Sequence, residues 1–257
     1  MAKAMKEEKK WELALLALIL GTLGLMIGTV IAATPEGPTV TLVGNTTRSA
    51  SGSSIVNYTG GTGQNTSGGY IFGINLAALQ TNARWKAYYG NVTGTLTLDD
   101  AAGNTIYNWP LPTSSLTGYV YATRAAGSVT WASVACATVP QIETENFAIN
   151  HSANPNDNIT ATFNSTLHTA FTVAGTSLSN CRSTSTFKND SRQTQTSADD
   201  FQEIVIHDGT NVIYGTNIET NVWSYNNGTA DFQILVPENG LAAPSGSIAY
   251  YFYVELT

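Results

Sequence analysis

Nine Asn-X-Ser/Thr triplets form the densest chemistry-bearing pattern in the chain. They start at Asn45, Asn57, Asn65, Asn91, Asn150, Asn158, Asn164, Asn189 and Asn227. Each is an acceptor for N-linked glycan if the chain leaves the cytoplasm. The sequence is so rich in Asn, Ser and Thr that the excess over random placement is modest, so the triplets gain meaning from export. Asn91, heading a predicted strand, and Asn164, in a predicted turn, are the accessible positions. The two cysteines, Cys136 and Cys181, lack metal-ligand spacing. In an oxidising compartment an even count reads as one disulfide. It would close a loop of about 45 residues, for roughly 4 kcal/mol by chain entropy. Two buried thiols are the alternative.

Catalytic constellations are absent from the sequence, and no enzyme is expected. His151, His168 and His207 lie in unrelated contexts, and no Gly-X-Ser-X-Gly elbow occurs. Asp99-Asp100 and Asp199-Asp200 are neighbours, so on a strand their side chains diverge. The carboxylate pair of a glycoside hydrolase needs a set separation across a cleft. "GGTGQNTSGG" lacks the Lys-Ser/Thr and the following helix of a phosphate loop. No cofactor or metal is predicted beyond N-linked glycans. Structural calcium at "DDAAGN" or "NPNDN" is the one alternative, because carboxylate and carbonyl oxygens suit that cation. Trp85, Trp109, Trp131 and Trp223 can stack on sugars, though aromatics in β proteins more often fill the core.

The elements that position these residues begin with an apolar run. Leu13 to Pro35 carries no charge over 23 residues. As a helix it would be about 34 Å long, against about 30 Å of membrane hydrocarbon. Lys3, Lys6, Lys9 and Lys10 precede it, which places residues 1–10 in the cytoplasm and the rest outside. The run at 11–34 is a signal, an anchor or a filament-core helix. Gly24 and Gly28, spaced small-X-X-X-small, let such helices approach closely. The net charge of −7 and sparse Lys and Arg argue against nucleic acid as a partner.

Residues 35–69 form a Gly-, Ser- and Thr-rich stalk or loop. Residues 70–257 read as an all-β ectodomain, a β-sandwich of immunoglobulin-like or jelly-roll-like type. A division near 140 would make it two sandwiches. "NVTGTLTLDDAAGNTIYNW" and "FQEIVIHDGTNVIYGTNI" both read as hairpins with Asn, Asp and Gly turns. Their likeness raises an internal duplication. Further strands are expected at Gly118 to Thr123, Ser128 to Ala135, Ile159 to Phe163, Thr169 to Val173 and Asp231 to Val236. The single expected helix lies in "INLAALQTNARW". Residues 176–200 read as a long polar loop tied back through Cys181.

The terminal "SIAYYFYVELT" is apolar on both faces, with Tyr250, Phe252 and Val254 on one of them. It either completes its own sheet or adds to that of a neighbouring subunit.

The block from "RWKAYYGNVTGTLTLDD" through "SVTWASVACA", with "DFQILVPE" and "YYFYVEL", resembles uncharacterised archaeal surface proteins rich in β structure. The N-terminus is similar to archaeal type IV pilin-like precursors: a short basic leader, a long apolar helix, then a β domain. In that family a peptidase cuts after a basic-plus-small pair. Here Lys9-Lys10 is followed by Trp11. The resemblance implies an extracellular or cell-surface location and, with the acceptor triplets, the expectation is a glycosylated filament or surface-coat subunit, a homo-oligomer or polymer held to the membrane through its helix. A membrane-anchored adhesin that binds glycan or a partner cell is the alternative.

Overall fold

The computed structural model describes Pro35 and residues 82–112, 116–127, 129–189, 194–241 and 247–257. Among these, strands in antiparallel sheets dominate, with two short helices and one 3-10 turn. The apolar run at 11–34, Gly24, Gly28, Asn45, Asn57 and Asn65, and most of "INLAALQTNARW" lie outside the described residues. No helix among the described residues is long and apolar enough to cross a membrane.

The centre is one sheet. β4 (Gly118–Thr123), β9 (Gln202–His207), β10 (Val212–Asn217) and β14 (Tyr251–Leu256) run in the order β14-β4-β10-β9. The outer side of β9 takes two short strands end to end, β5 (Ala135–Cys136) and β8 (Ser183–Ser185). The sheet therefore mixes strands from both sides of residue 140. The β9–β10 hairpin forms where the sequence predicts it. Asp208 Oδ1 accepts from the N–H groups of Thr210 at 2.9 Å and Asn211 at 2.7 Å, and Gly209 supplies φ +98°. An Asp side chain that satisfies the next backbone donors, followed by a glycine at positive φ, is what such a turn needs.

Every residue of β9 is buried, because both sheet faces are covered. On one face, Ala122, Val205 and Tyr214 meet Ile234 and Val236. The latter two belong to β13 (Phe232–Pro237), which pairs with β1 (Trp85–Gly90). On the other, Tyr121, Ile204, Ile206 and Ile213 meet Trp131, Phe171, Val173 and Cys181. Phe171 and Val173 come from a small hairpin, β6 (Phe171–Val173) with β7 (Thr176–Leu178), and a further short pair is β11 (Val222–Trp223) with β12 (Thr229–Ala230). Truncating any of the fully buried isoleucines to alanine should cost about 2–5 kcal/mol. Within 176–200, β7 and β8 replace part of the expected loop.

Three local expectations are corrected. A helix, α1 (Val139–Ala148), stands where none was expected. Its start carries a reciprocal capping box between Thr138 and Gln141 with Pro140 in the first turn, a signal written in the sequence. The span Ile159 to Phe163, expected as a strand, begins with a one-turn helix, α2 (Ile159–Thr162). Asn158 Oδ1 caps it by accepting from Ala161 N at 2.7 Å, and Asn146 Oδ1 accepts from Ile159 N at 3.0 Å. Those two bonds outweigh the β preference of Ile159 and Thr160. The span 128–135 holds a 3-10 turn, Trp131–Ser133, rather than a strand. Trp131 swings into the core there, and only Ala135 joins a sheet.

Cys136 and Cys181 form the expected disulfide, 45 residues apart in sequence. One sulfur sits on β5 and the other two residues before β8, so the bridge joins the two short strands that share the edge of β9. Arg124, just past β4, grips Glu145 of α1 through two 2.6 Å bonds. This two-pronged contact fixes the helix against the sheet.

Candidate assembly surface

The first predicted hairpin also forms. β2 (Thr95–Asp99) pairs with β3 (Thr105–Pro110), with Leu96 opposite Trp109 and Leu98 opposite Tyr107. Opposed residues share a face, so these four side chains make one apolar patch. That patch faces solvent: Leu96 is 40%, Trp109 46%, Leu98 55% and Tyr107 58% exposed. The Tyr107 and Trp109 rings lie 4.8 Å apart. Every residue of both strands is exposed, in contrast to the buried β9–β10 hairpin. The turn holds itself: Asp100 Oδ1 accepts from the N–H groups of Ala102 and Asn104, and Asn104 Nδ2 donates to Asp100 Oδ2 at 2.8 Å. The Asn104 bonds keep the Asp100 carboxyl below its ordinary value. Its oxygens are thus engaged by the turn of "DDAAGN" itself.

The second element is β14. It pairs with β4 from Tyr251↔Thr123 to Leu256↔Gly118, and among the described residues no strand pairs with its other edge. Tyr250, Phe252 and Val254 all point inward. The Tyr250 hydroxyl donates to the Pro237 carbonyl at 2.7 Å, and the Lys86 ammonium lies 5.4 Å over the ring. Phe252 meets Tyr88 edge-on at 4.9 Å. Val254 packs beside Val120 and Leu116. Tyr251 of β14 is exposed. Gly118, at φ +138°, lets the start of β4 pass close to the Glu255 carbonyl, which a Cβ would strike.

The glycan acceptors separate by environment. Asn91, Asn150, Asn164, Asn189 and Asn227 are exposed. Asn150, Asn189 and Asn227 adopt positive φ of 63°, 52° and 60°, a turn conformation that Asn tolerates well. Asn158 is half-buried and engaged as the cap of α2.

The three histidines are not brought together. His151, His168 and His207 are all buried. His151 Nε2 meets the Glu238 carbonyl at 2.6 Å and His168 Nδ1 the Thr169 carbonyl at 2.7 Å. Burial holds the pKa of both below the ordinary value. His207 Nδ1 accepts from Gly209 N at 2.9 Å and stands 3.1 Å from Gln141 Nε2. Among the described residues no three His, Cys, Asp or Glu side chains gather as a metal-ligand group. In "NPNDN", Asp157 Oδ2 is taken by Arg84 at 3.0 Å and Asn82 at 2.7 Å.

Trp85 and Trp131 are structural: Trp85 packs on His151 and Phe163, and Trp131 on Tyr121 and Tyr253. Trp109 and Trp223 are exposed. The solvent-facing patch was hidden from the sequence because Leu96, Leu98 and Trp109 alternate as core residues do. Comparison with family models, characterised proteins and solved structures returned no match to this chain.

Proposed function

We propose that the chain is an exported, N-glycosylated structural subunit of the cell surface that self-associates through the β2–β3 hairpin and the outer edge of β14. The apolar patch of Leu96, Leu98, Tyr107 and Trp109 carries the proposal. An apolar sheet face open to water is costly to keep unless a partner covers it. A second copy suits it, because a flat patch without charge can meet itself about a two-fold axis. The acidic turn at Asp99 and Asp100 would sit at the rim of such a contact. Packing of β1–β13 on the larger sheet favours one sandwich-type body. The apolar segment at 11–34 would hold the subunit to the membrane or enter a filament core.

A glycan-binding adhesin is the second reading, favoured by the exposed Tyr107–Trp109 pair. Sedimentation of the wild-type chain and of a Leu98→Ser/Trp109→Ser variant separates the two. Self-association that the variant loses supports the subunit. A wild type that stays monomeric at every concentration removes it, and sugar binding lost with Trp109 then favours the adhesin. The N-terminus of the mature protein, read by mass spectrometry from its own cells, decides whether the apolar segment is retained.

A further inference from the structure

Three neighbouring strands bring a lysine and two carboxyl groups to one end of the central sheet. Lys188 follows β8, Asp200 precedes β9, and Glu219 follows β10. The Lys188 ammonium is paired with Asp200 Oδ2, and the two side chains are 37% and 31% exposed. Backbone bonds hold the pair on both sides. Thr186 N donates to the Phe201 carbonyl at 3.0 Å, and Asn189 N to the Ser224 carbonyl at 2.7 Å. Gln233 Nε2 adds a bond to the Phe187 carbonyl at 3.0 Å. Asn217 Nδ2 bridges the Asp200 carbonyl, at 2.9 Å, to the Glu219 carboxyl. Burial, then the Asp200 charge, raises the Glu219 carboxyl above its ordinary value, against the pull of Lys188.

The other ion pairs among the described residues lack this combination. Arg84–Asp157 and Arg124–Glu145 present guanidinium groups, which stay protonated and do not attack carbon. In Lys86–Glu238, the carboxyl is held ionised against burial by Lys86 and by the Ile248 N–H.

We propose that Lys188 and Asp200 condense spontaneously into an amide between Nζ and Cγ, with Glu219 relaying the proton. Proton transfer within the ion pair yields a neutral amine and a neutral acid with no change in net charge. The amine lone pair attacks Cγ. Glu219 protonates the departing oxygen and recovers a proton from the attacking nitrogen. One C–N bond forms, one C–O bond breaks, one water leaves, and nothing is oxidised or reduced. Holding both groups in one geometry supplies the effective concentration that an uncatalysed amide synthesis lacks. The cross-link would close the loop from 188 to 200. It can form in a monomer, so it stands apart from the proposed self-association.

Intact mass of the reduced, denatured, glycan-free chain tests this. The wild type should weigh less than its sequence by one water. Trypsin should then leave the bond after Lys188 uncut, with 183–192 joined to the peptide that starts at Gln193. Lys188→Arg keeps the ion pair and should restore the full mass. Glu219→Gln should slow bond formation by about 10²-fold or more. A folded wild type at full sequence mass, cleaved after Lys188, overturns the proposal. Equal rates in wild type and Glu219→Gln overturn the relay.

Discussion

The Tyr121 hydroxyl donates to Glu255 Oε2 across 2.9 Å, joining β4 to β14 on the sheet face where Tyr121 meets Trp131 and Phe171. Glu255 Oε1 accepts from Ala174 N at 2.9 Å, so this one carboxyl also ties β14 to the turn between β6 and β7. Tyr121→Phe leaves Oε2 buried without its donor. The expected loss is about 1–3 kcal/mol, read as a lower urea midpoint at unchanged slope. An unchanged midpoint would show that the bond contributes nothing.

Glu203 sets a second expectation. It is fully buried on β9, and its Oε2 accepts from Leu235 N at 2.8 Å, linking the central sheet to β13. Burial pushes its carboxyl well above the ordinary 4.5. Above that pH the unfolded chain has released the proton while the folded chain still holds it. Stability therefore falls as pH rises from there towards the folded value. Glu219 and Glu255, also raised by burial, add the same sign. Glu203→Gln should flatten the decline that begins above the ordinary carboxylate value. Parallel stability curves for the two proteins would refute this assignment.

Reduction of Cys136–Cys181 opens a loop of 45 residues. The expected cost is about 4 kcal/mol, measured as the difference in unfolding free energy with and without reductant. A difference below about 1 kcal/mol would mean that native contacts already confine the loop.

Occupancy of the acceptor triplets should follow their environment. Glycopeptide mapping is expected to find sugar at Asn91, Asn150, Asn164, Asn189 and Asn227, which are exposed. Asn158, half-buried at the cap of α2, should be the least occupied of the described sites. Full occupancy at Asn158 would mean that glycan is added before α2 forms.

Much of this arrangement was legible, and the exceptions have physical causes. β4 matches the predicted Gly118 to Thr123 at both ends, because a β-branched and aromatic run between glycine and a charge has few alternatives. The turns of both hairpins followed from Asp, Asn and Gly. α1 was also written locally, in Thr138, Pro140 and Gln141, but its weak apolar periodicity concealed it. α2 was not legible, because Asn146 reaches it from another helix. The sequence pattern cannot say whether an alternating hairpin is covered. Leu96 and Ile204 look alike in it, yet one is exposed and the other fully buried. The Lys188–Asp200–Glu219 cluster depends on strand order, which residue types alone do not encode.

The disulfide also bears on what happens to the chain before it is oxidised. β5 and β8 together cover the outer side of β9, and each is only two or three residues long. Joined through Cys136 and Cys181 they act as one guard strand. If the two short strands part without the bond, β9 would present a row of unpaired backbone groups, a template for aggregation. Oxidation thus protects the chain against cross-β association, and a molecule whose Cys136 and Cys181 stay reduced would be the one to aggregate.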